Sequence, residues 1–466
     1  MAEISIARSA AHAMLLAVEA GLGHSDDLLR DDPLMARMSD ADRRLTTTLV
    51  LGVLRWQISL DQSIRASLSK PQAKLDPAVL AALRLGAFQL LHLDRIPAHA
   101  AINESVELTK RSGLRSAAGL VNAVLRKIGS AAGDTKSLIS GQEAEKIERA
   151  LAPAALAAHP AWLVERWTKF FGPDTAGAIC VFDQSEPVHT VRFASPEVES
   201  EVIESGGGLA PGNLLTAARI VASGSITHTL AFHEGRVRFQ DEGSQLVAEL
   251  AASVSKESKR ILDTCAAPGG KTLILAERNP DAQIVACEAS RSRLKHLCER
   301  LAGFGHRVEC RLADATVLTF DSEFDLALAD VPCSGTGTLG RNPEIRYRLQ
   351  PEDLPRQAER QRAILRCALR AVRPDGRVVY STCSLEPEEN EQVIASAISE
   401  GSGARIIPLG TELEQMRDHR VLTHDGADRL KPCLTPEGFL RLLPGALGTD
   451  GFFIAMLEKP TPALPS

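Results

Sequence analysis

The 466-residue sequence has no C-x-x-C pair, no internal repeat or low-complexity tract, and no strong excess of charge of either sign. It also has no run approaching the roughly 18 apolar residues of a membrane span. Each absence closes off a class. The nine cysteines (Cys180, Cys265, Cys287, Cys298, Cys310, Cys333, Cys367, Cys383 and Cys433) are odd in number and unpaired in spacing, so reduced thiols in a cytoplasmic protein without a metal site are expected. A net charge of −6 argues against a chain coated in basic surface, while leaving room for a basic face on one domain. The opening "MAEISIARSAAHAMLLAVEAGLG" has an apolar centre, but Glu3, Arg8 and Glu19 flank it, and its spacing suits an amphipathic helix better than a signal peptide. The length predicts two or three domains, and the lack of a long apolar run predicts no membrane association.

What is present changes character along the chain. Residues 1–145 have a helical period almost throughout. Asp76 and Pro77 start a helix with Val79, Leu80, Leu83, Ala87, Leu90 and Leu91 on one face; Pro97 opens another, and "SAAGLVNAVLRKI" makes a third. After an acid-bearing connector, "HTVRFAS", "ITHTL" and "RVRFQ" read as short strands around the Gly-rich "ESGGGLAPGN", which predicts a small α+β module over 155–235. From 236 to 460, strand-like "RILDTCA", "QIVACEA", "RVECRLAD", "FDLALAD" and "RVVYSTC" alternate with helix-like segments. That alternation predicts a doubly wound, mostly parallel sheet of Rossmann-like type.

Three glycine-rich readings compete for the ligand turn. "GTGTLG" from Gly335 has Pro343 where a dinucleotide fingerprint needs an apolar helix, and "GGKT" lacks a P-loop's first glycine because Cys265 stands there. "ILDTCAAPGGKT" fits better as a methyl-donor turn: a strand ending at Asp263, small residues that admit a ligand to the backbone, and a helix starting near Lys271. The following strands end in Glu288, suited to two ribose hydroxyls, in Asp314, suited to an adenine amino group, and in Asp330. Four carboxylates around one crevice would repel phosphate. S-adenosylmethionine carries a sulfonium and an ammonium, and no phosphate. A helix cap explains any one acid but not the series.

Cys383 in "STCS" and Cys333 in "DVPCSGTG" both sit just past strand ends. Singly, each reads as a packed thiol; as a pair beside a methyl donor they suit methylation at a pyrimidine C5. A thiolate adding at C6 makes C5 nucleophilic, and loss of the C5 proton then expels the thiolate. The carboxyl of Asp330 is placed to stabilise such an adduct. Glu386, Glu388 and Glu389 would raise the Cys383 pKa, a cost offset in part by the start of a helix whose first turn is expected to hold Pro387 and Glu388.

The motifs "DTCAAPGGKT", "DVPCSGTGTLGRNPEIRYR", "YSTCSLEPEENE", "RFQDEGSQLVA" and "DGFFIAMLEK" resemble those of RNA cytosine-C5 methyltransferases, and "LRLGAFQLLHLDRIPAHAAINESVELTK" with "GLVNAVLRKI" resembles the antitermination factor NusB. The resemblance covers nearly the whole chain. It implies Cys383 as the C6 nucleophile, Cys333 as an aid to product release and Asp330 as a contact to the cytosine. S-adenosylmethionine would be held by Cys265, Ala266, Ala267, Pro268, Gly269, Gly270, Lys271, Glu288, Asp314 and Asp330. The pairing of domains implies small-subunit ribosomal RNA as substrate; a monomer is expected. A basic set, Lys110, Arg111, Arg115, Arg126 and Lys127, would dock structured RNA by phosphate and shape. Glu288 where aspartate is more usual, and "VHTVRFAS" before the catalytic domain, depart from the family pattern. A transfer-RNA methyltransferase, or a non-catalytic RNA-binding factor, is the alternative; the latter would be expected to have lost a cysteine or a strand-end acid.

Overall fold

The computed structural model describes residues 4–139, 153–224, 226–254, 258–401 and 403–461, with backbone alone for 31 and 132–139. Most of the expected connector, 141–152, lies outside the described residues. The chain forms two compact units: Met1–Glu186 with Leu339–Arg348, and Pro187–Thr338 with Leu349–Ser466. The helices Ala161–Phe171 and Pro173–Gln184, expected from the sequence to belong to the small module, therefore cluster with the N-terminal helices.

The first unit is built on the helices Ile6–Glu19, Asp40–Ser67, Pro77–His92, Ala98–Arg111 and Ala118–Ile139. Pro77–His92 starts as its sequence dictates: the Asp76 carboxylate accepts from the Ala78 N–H, and proline occupies the first turn, where no N–H is needed. Val79, Leu83, Ala87 and Leu90 are buried on the expected face, with Leu80 and Leu91 packed at its margin. Close helix approach sets two residue choices. A Cβ at Gly52 would stand 2.0 Å from the Phe88 ring, and one at Gly86 2.4 Å from Leu125, so these glycines hold space for their neighbours.

The stretch Leu339–Arg348 belongs to this helical unit although it follows the Cys333 motif in sequence. Its buried charged side chains find hydrogen-bond partners there. The buried Arg346 guanidinium donates to the Arg55 carbonyl at 3.0 Å and to Gln184 Oε1 at 2.8 Å, while Arg55 donates to the Gly340 carbonyl at 2.9 Å. The buried Glu344 carboxylate accepts from Ser25 N at 3.0 Å and from Ser25 Oγ at 2.7 Å. Buried charges bonded in this way avoid most of the desolvation cost.

The second unit holds two sheets. In the smaller, β1 (Thr190–Phe193), β2 (Gly208–Pro211), β3 (Ala218–Ser223) and β4 (Val237–Phe239) pair antiparallel in the order β2-β3-β1-β4. The expected strand "ITHTL" is not one. Residues Ile226–His228 form a 3₁₀ turn and Leu230–His233 a single helical turn, because the Thr229 hydroxyl accepts from Phe232 N and caps a helix start. The strand partner is instead β3, "ARIVAS".

The larger sheet contains all five strands read from the alternating segments: β5 (Arg260–Asp263), β6 (Gln283–Glu288), β7 (Val308–Leu312), β8 (Phe324–Asp330) and β9 (Val372–Thr382). These five are parallel. The chain adds β10 (Arg405–Ile407), β11 (Leu440–Leu442) and β12 (Phe452–Glu458), with β12 antiparallel between β9 and β10. The order is β10-β12-β9-β8-β5-β6-β7, with β11 on β12. Along β8, Leu326 and Leu328 face one apolar layer and Ala327 and Ala329 the other, as a strand covered on both faces requires. Succession runs outward from β5 through β6 to β7, then restarts at β8 and runs the other way, so the switch point lies between the ends of β5 and β8. Asp263 and Asp330 are those ends.

Candidate active site

After β5 the chain makes a tight turn over residues 264–269. The Ala266 N–H donates to the Cys287 carbonyl at 2.9 Å, Gly269 takes a left-handed φ of +101°, and the helix Gly270–Arg278 begins at once. Arg293 donates to the Ala267 carbonyl at 2.9 Å and Arg300 to that of Pro268 at 3.0 Å, so two cations from the helix Arg291–Leu301 hold the turn from outside. Nothing in the spacing of the sequence points to these two arginines. A pocket at the turn is lined by Cys265 to Pro268, Gly270, Lys271, Asp263 and Asp330, with Arg238 and Gln240 closing it from the small sheet.

The four strand-end acids have distinct environments. Asp263 is fully buried; burial pushes its carboxyl up to about 7, against a 2.7 Å hydrogen bond from the Thr272 hydroxyl and with help from the Asp330 charge. Asp330 meets Lys271 Nζ at 2.7 Å through one oxygen and accepts from Ser381 Oγ at 2.7 Å through the other. Burial would pull the Lys271 ammonium down, but Asp330 outweighs it and holds that group above its ordinary value. Glu288, buried, accepts from Ser290 N at 2.8 Å, and Asp314, exposed, caps a 3₁₀ turn through Thr316 N at 2.9 Å. Neither lines the pocket. A cap on a nearby backbone N–H therefore accounts for part of the bonding of Glu288 and Asp314 but not of Asp330, and of the four acids the pocket gathers Asp263 and Asp330. Leu312 and Val317 stand exposed on either side of Asp314, apolar residues in the open that the sequence reading did not single out.

The two cysteines do meet. β8 and β9 run side by side with Asp330 opposite Ser381; Cys333 lies three residues past the first and Cys383 one past the second, and their Sγ atoms are 3.4 Å apart. Both are free and half-buried. The contact with Cys383, burial and the charge of Glu389 together hold the Cys333 thiol well above its ordinary pKa. Cys265, also half-buried, is pushed up to about 12 by burial, as suits an inert thiol in the turn.

The expected helix start at Pro387 and Glu388 falls later, at Glu391; residues 387–390 form a turn. This changes what the acid cluster does. Glu389 points inward, accepting from Ser334 N at 2.8 Å, Gln361 Nε2 at 2.9 Å and Ser384 Oγ at 2.5 Å, and from Ser334 Oγ. Gly337 donates to the Cys383 carbonyl at 2.9 Å, which fastens the two loops by their backbones as well.

In the first unit, Lys110, Arg111, Arg115, Arg126 and Lys127 are all exposed. Lys110 pairs with Glu107 at 2.6 Å and Lys127 donates to the Ser67 carbonyl at 3.1 Å. Among the described residues no helix is long and apolar enough to cross a membrane, and no group of three or more metal-ligating side chains is assembled.

Comparison with known proteins places the chain in a family. The sequence model described as "16S rRNA methyltransferase RsmB/F" matches residues 251–458, and that of the NusB family matches residues 5–130. The probable ribosomal RNA small subunit methyltransferase B of Bacillus subtilis is 33% identical over 455 residues, covering 96% of this chain and 97% of its own. The ribosomal RNA small subunit methyltransferase B of Pseudomonas putida is 32% identical, covering 91% and 92% respectively. The solved structure of PH0851 superposes with a TM-score of 0.75 at 24% identity, covering 98% of this chain and 100% of that one. The chain belongs to the 16S ribosomal RNA methyltransferase family of RsmB/F type, with an N-terminal domain of the NusB family.

Proposed function

We propose that this protein methylates C5 of a cytosine in small-subunit ribosomal RNA, with S-adenosylmethionine as donor and Cys383 as a transient covalent catalyst. The observation that carries the reading is the 3.4 Å approach of Cys333 and Cys383 beside the Asp330–Lys271 pair. A single buried thiol has many explanations. Two thiols touching at the switch point of an α/β sheet fit a base that must be attacked and then released.

The pocket fits the donor's chemistry. Arg238 leaves Nε and Nη2 buried without a hydrogen-bond partner, and Gln240 leaves Oε1 so. Unmet donors and an unmet acceptor beside one turn suit a ligand head that carries both carboxylate and ammonium. Asp263 adds a carboxylate next to that ammonium. Glu288 and Asp314 are assigned to the ribose and adenine, with Leu312 and Val317 as apolar walls for the ring. When bound, the donor supplies an electrophilic methyl group.

The chain's own residues do the rest. Cys383 adds through Sγ to C6, and the electron pair of the C5–C6 double bond becomes available at C5. Asp330 takes a hydrogen bond from the base's amino edge, and Lys271, held cationic, balances charge on the adduct. After methylation the C5 proton passes to water, its bonding pair restores the double bond, and the C6–Sγ bond breaks with its electrons going to Cys383. Cys333 stays a thiol at neutral pH, so its role is to donate a hydrogen bond to the departing sulfur. The target base leaves its stack to reach this crevice. The exposed basic set of the helical unit contacts RNA phosphates.

Methyl transfer from labelled S-adenosylmethionine to unmethylated small-subunit RNA, with the product base mapped, tests the reading. A 5-methylcytosine in that RNA supports it; label only in transfer RNA, or at another atom, overturns it.

A further inference from the structure

Glu389 does not line the donor pocket, yet it is wholly buried and its carboxylate faces four donors. Two of them are on Ser334, which follows Cys333, and one is on Ser384, which follows Cys383. The fourth, Gln361 Nε2, comes from the helix Asp353–Ala371 and also donates to the Pro332 carbonyl at 3.0 Å. An ionised carboxylate has about four acceptor sites and no proton to place, so it matches this donor set where an amide would not. A buried anion without a cation persists only when hydrogen-bonded this fully.

The two cysteine loops do not depend on it equally. Cys383 sits directly at the end of β9, and its loop has further ties: Ser384 N to Thr382 Oγ1 at 3.2 Å, and Asn390 Nδ2 to the Ser384 carbonyl at 2.9 Å. The Cys333 loop is also tied by Val331 N to the Ser381 carbonyl at 3.0 Å and by Gly337 N to the Cys383 carbonyl at 2.9 Å, but the residue next to its thiol gives both its N–H and its hydroxyl to Glu389, whereas Ser384 gives only its hydroxyl. Removing the carboxylate therefore frees the Cys333 side more than the Cys383 side.

We propose that Glu389 is a positioning residue that keeps the Cys333 thiol against the Cys383 sulfur, and so serves release of the product rather than attack on the base. The inference rests on the proposed function, because only there do the two cysteines have separate steps. It assigns to one acid of the motif a task that neither charge nor distance along the chain would suggest.

The test follows the covalent protein–RNA adduct in single turnover, with wild type, Cys333→Ala, Glu389→Gln and Ser334→Ala run together on the full chain. Formation of the adduct in Glu389→Gln is expected to stay within about threefold of wild type, while its decay slows by roughly tenfold or more, since each charge-assisted hydrogen bond removed is worth about a factor of ten. Ser334→Ala, which removes one donor and keeps the carboxylate, is expected to slow decay by a smaller factor. Decay at the wild-type rate overturns the proposal, as does an equal fall in formation and decay, which is what a general loosening of the fold produces. If Glu389→Gln does not fold, Ser334→Ala decides by the same criterion. Absence of any Cys383-dependent adduct in wild type and Cys333→Ala together would instead overturn the proposed function itself.

Discussion

The donor turn and the cysteine pair are built in opposite ways. The turn is one continuous stretch, Cys265–Lys271, shaped by its own glycines and by the helix that starts inside it, with Arg293, Arg300 and the Cys287 carbonyl bracing it from outside. The pair joins two stretches 50 residues apart, and the 3.4 Å between their sulfurs is held by hydrogen bonds from residues that carry no chemistry themselves. A site made locally is written in a motif. A site made by convergence depends on the partners that force it together, and these are spread over Ser334, Gln361, Ser384 and Glu389.

Variants that break the pair should cost most. Cys383→Ala is expected to reduce methyl incorporation by roughly a thousandfold or more and to form no adduct, with donor affinity by calorimetry unchanged. Cys333→Ala should instead accumulate the adduct, visible as a band resistant to denaturing electrophoresis; the same band in the double variant would contradict the assigned roles. Next in size is the helical unit's basic set. Replacing Lys110, Arg111, Arg115, Arg126 and Lys127 by alanine should weaken RNA binding at low salt and reduce the log–log salt slope by roughly 0.7–0.9 for each phosphate no longer neutralised. Filter binding across a salt series reads this, and an unchanged slope removes the RNA role.

Two glycines compare the regions directly. A Cβ at Gly337 would stand 2.5 Å from the Gly451 carbonyl oxygen and 2.9 Å from that of Cys383, whereas one at Gly270 would meet only the Gln240 side chain, at 3.3 Å. Backbone cannot yield as a side chain can. Gly337→Ala is expected to destabilise by about 1–3 kcal/mol in urea unfolding and to slow turnover, while Gly270→Ala changes stability by less than about 1 kcal/mol.

The same contrast explains what could be read from the sequence. Four of the five parallel strands are legible as apolar runs that end at or beside an acid or a cysteine, and β7 as an alternation of apolar and charged residues; the donor turn is legible because its glycines and small residues lie in one stretch. "ITHTL" reads as a strand because its alternation is stronger than the helix-capping tendency of Thr229, and β2 escapes the sequence because it lies inside the glycine-rich stretch, with β3 just beyond it. The Glu386–Glu389 cluster read as a charge problem for Cys383. In the fold Glu389 is instead a hydrogen-bond acceptor for both loops, a fact no spacing encodes because Ser334 is 55 residues away. Nor does periodicity show why Leu339–Arg348 joins the helices: that depends on Arg346 and Glu344 finding Arg55, Gln184 and Ser25.

The last expected effect belongs to the turn, and it is a pH dependence. Asp263 carries its proton up to about 7 in the folded chain, above the carboxylate's ordinary value, because burial disfavours the charge more than the Thr272 hydroxyl favours it. Between the ordinary carboxylate range and about 7 the unfolded chain gives up this proton and the folded chain keeps it. Stability from this group is therefore complete in acid and declines as pH rises toward about 7, by at most a few kcal/mol, after which it is level. Donor binding should slope the other way, because an ammonium pairs with Asp263 only once the carboxyl has ionised; its other charged neighbours, Asp330 and Lys271, form a pair of their own. Affinity for S-adenosylmethionine by calorimetry is expected to rise several-fold from about pH 6 to about pH 8 and to be flat in Asp263→Asn, whose unfolding midpoint should in turn gain on wild type over roughly pH 4–7. If the variant keeps the wild-type slope in both measurements, the donor turn owes its pH response to another group, and its independence from the cysteine pair would have to be argued without Asp263.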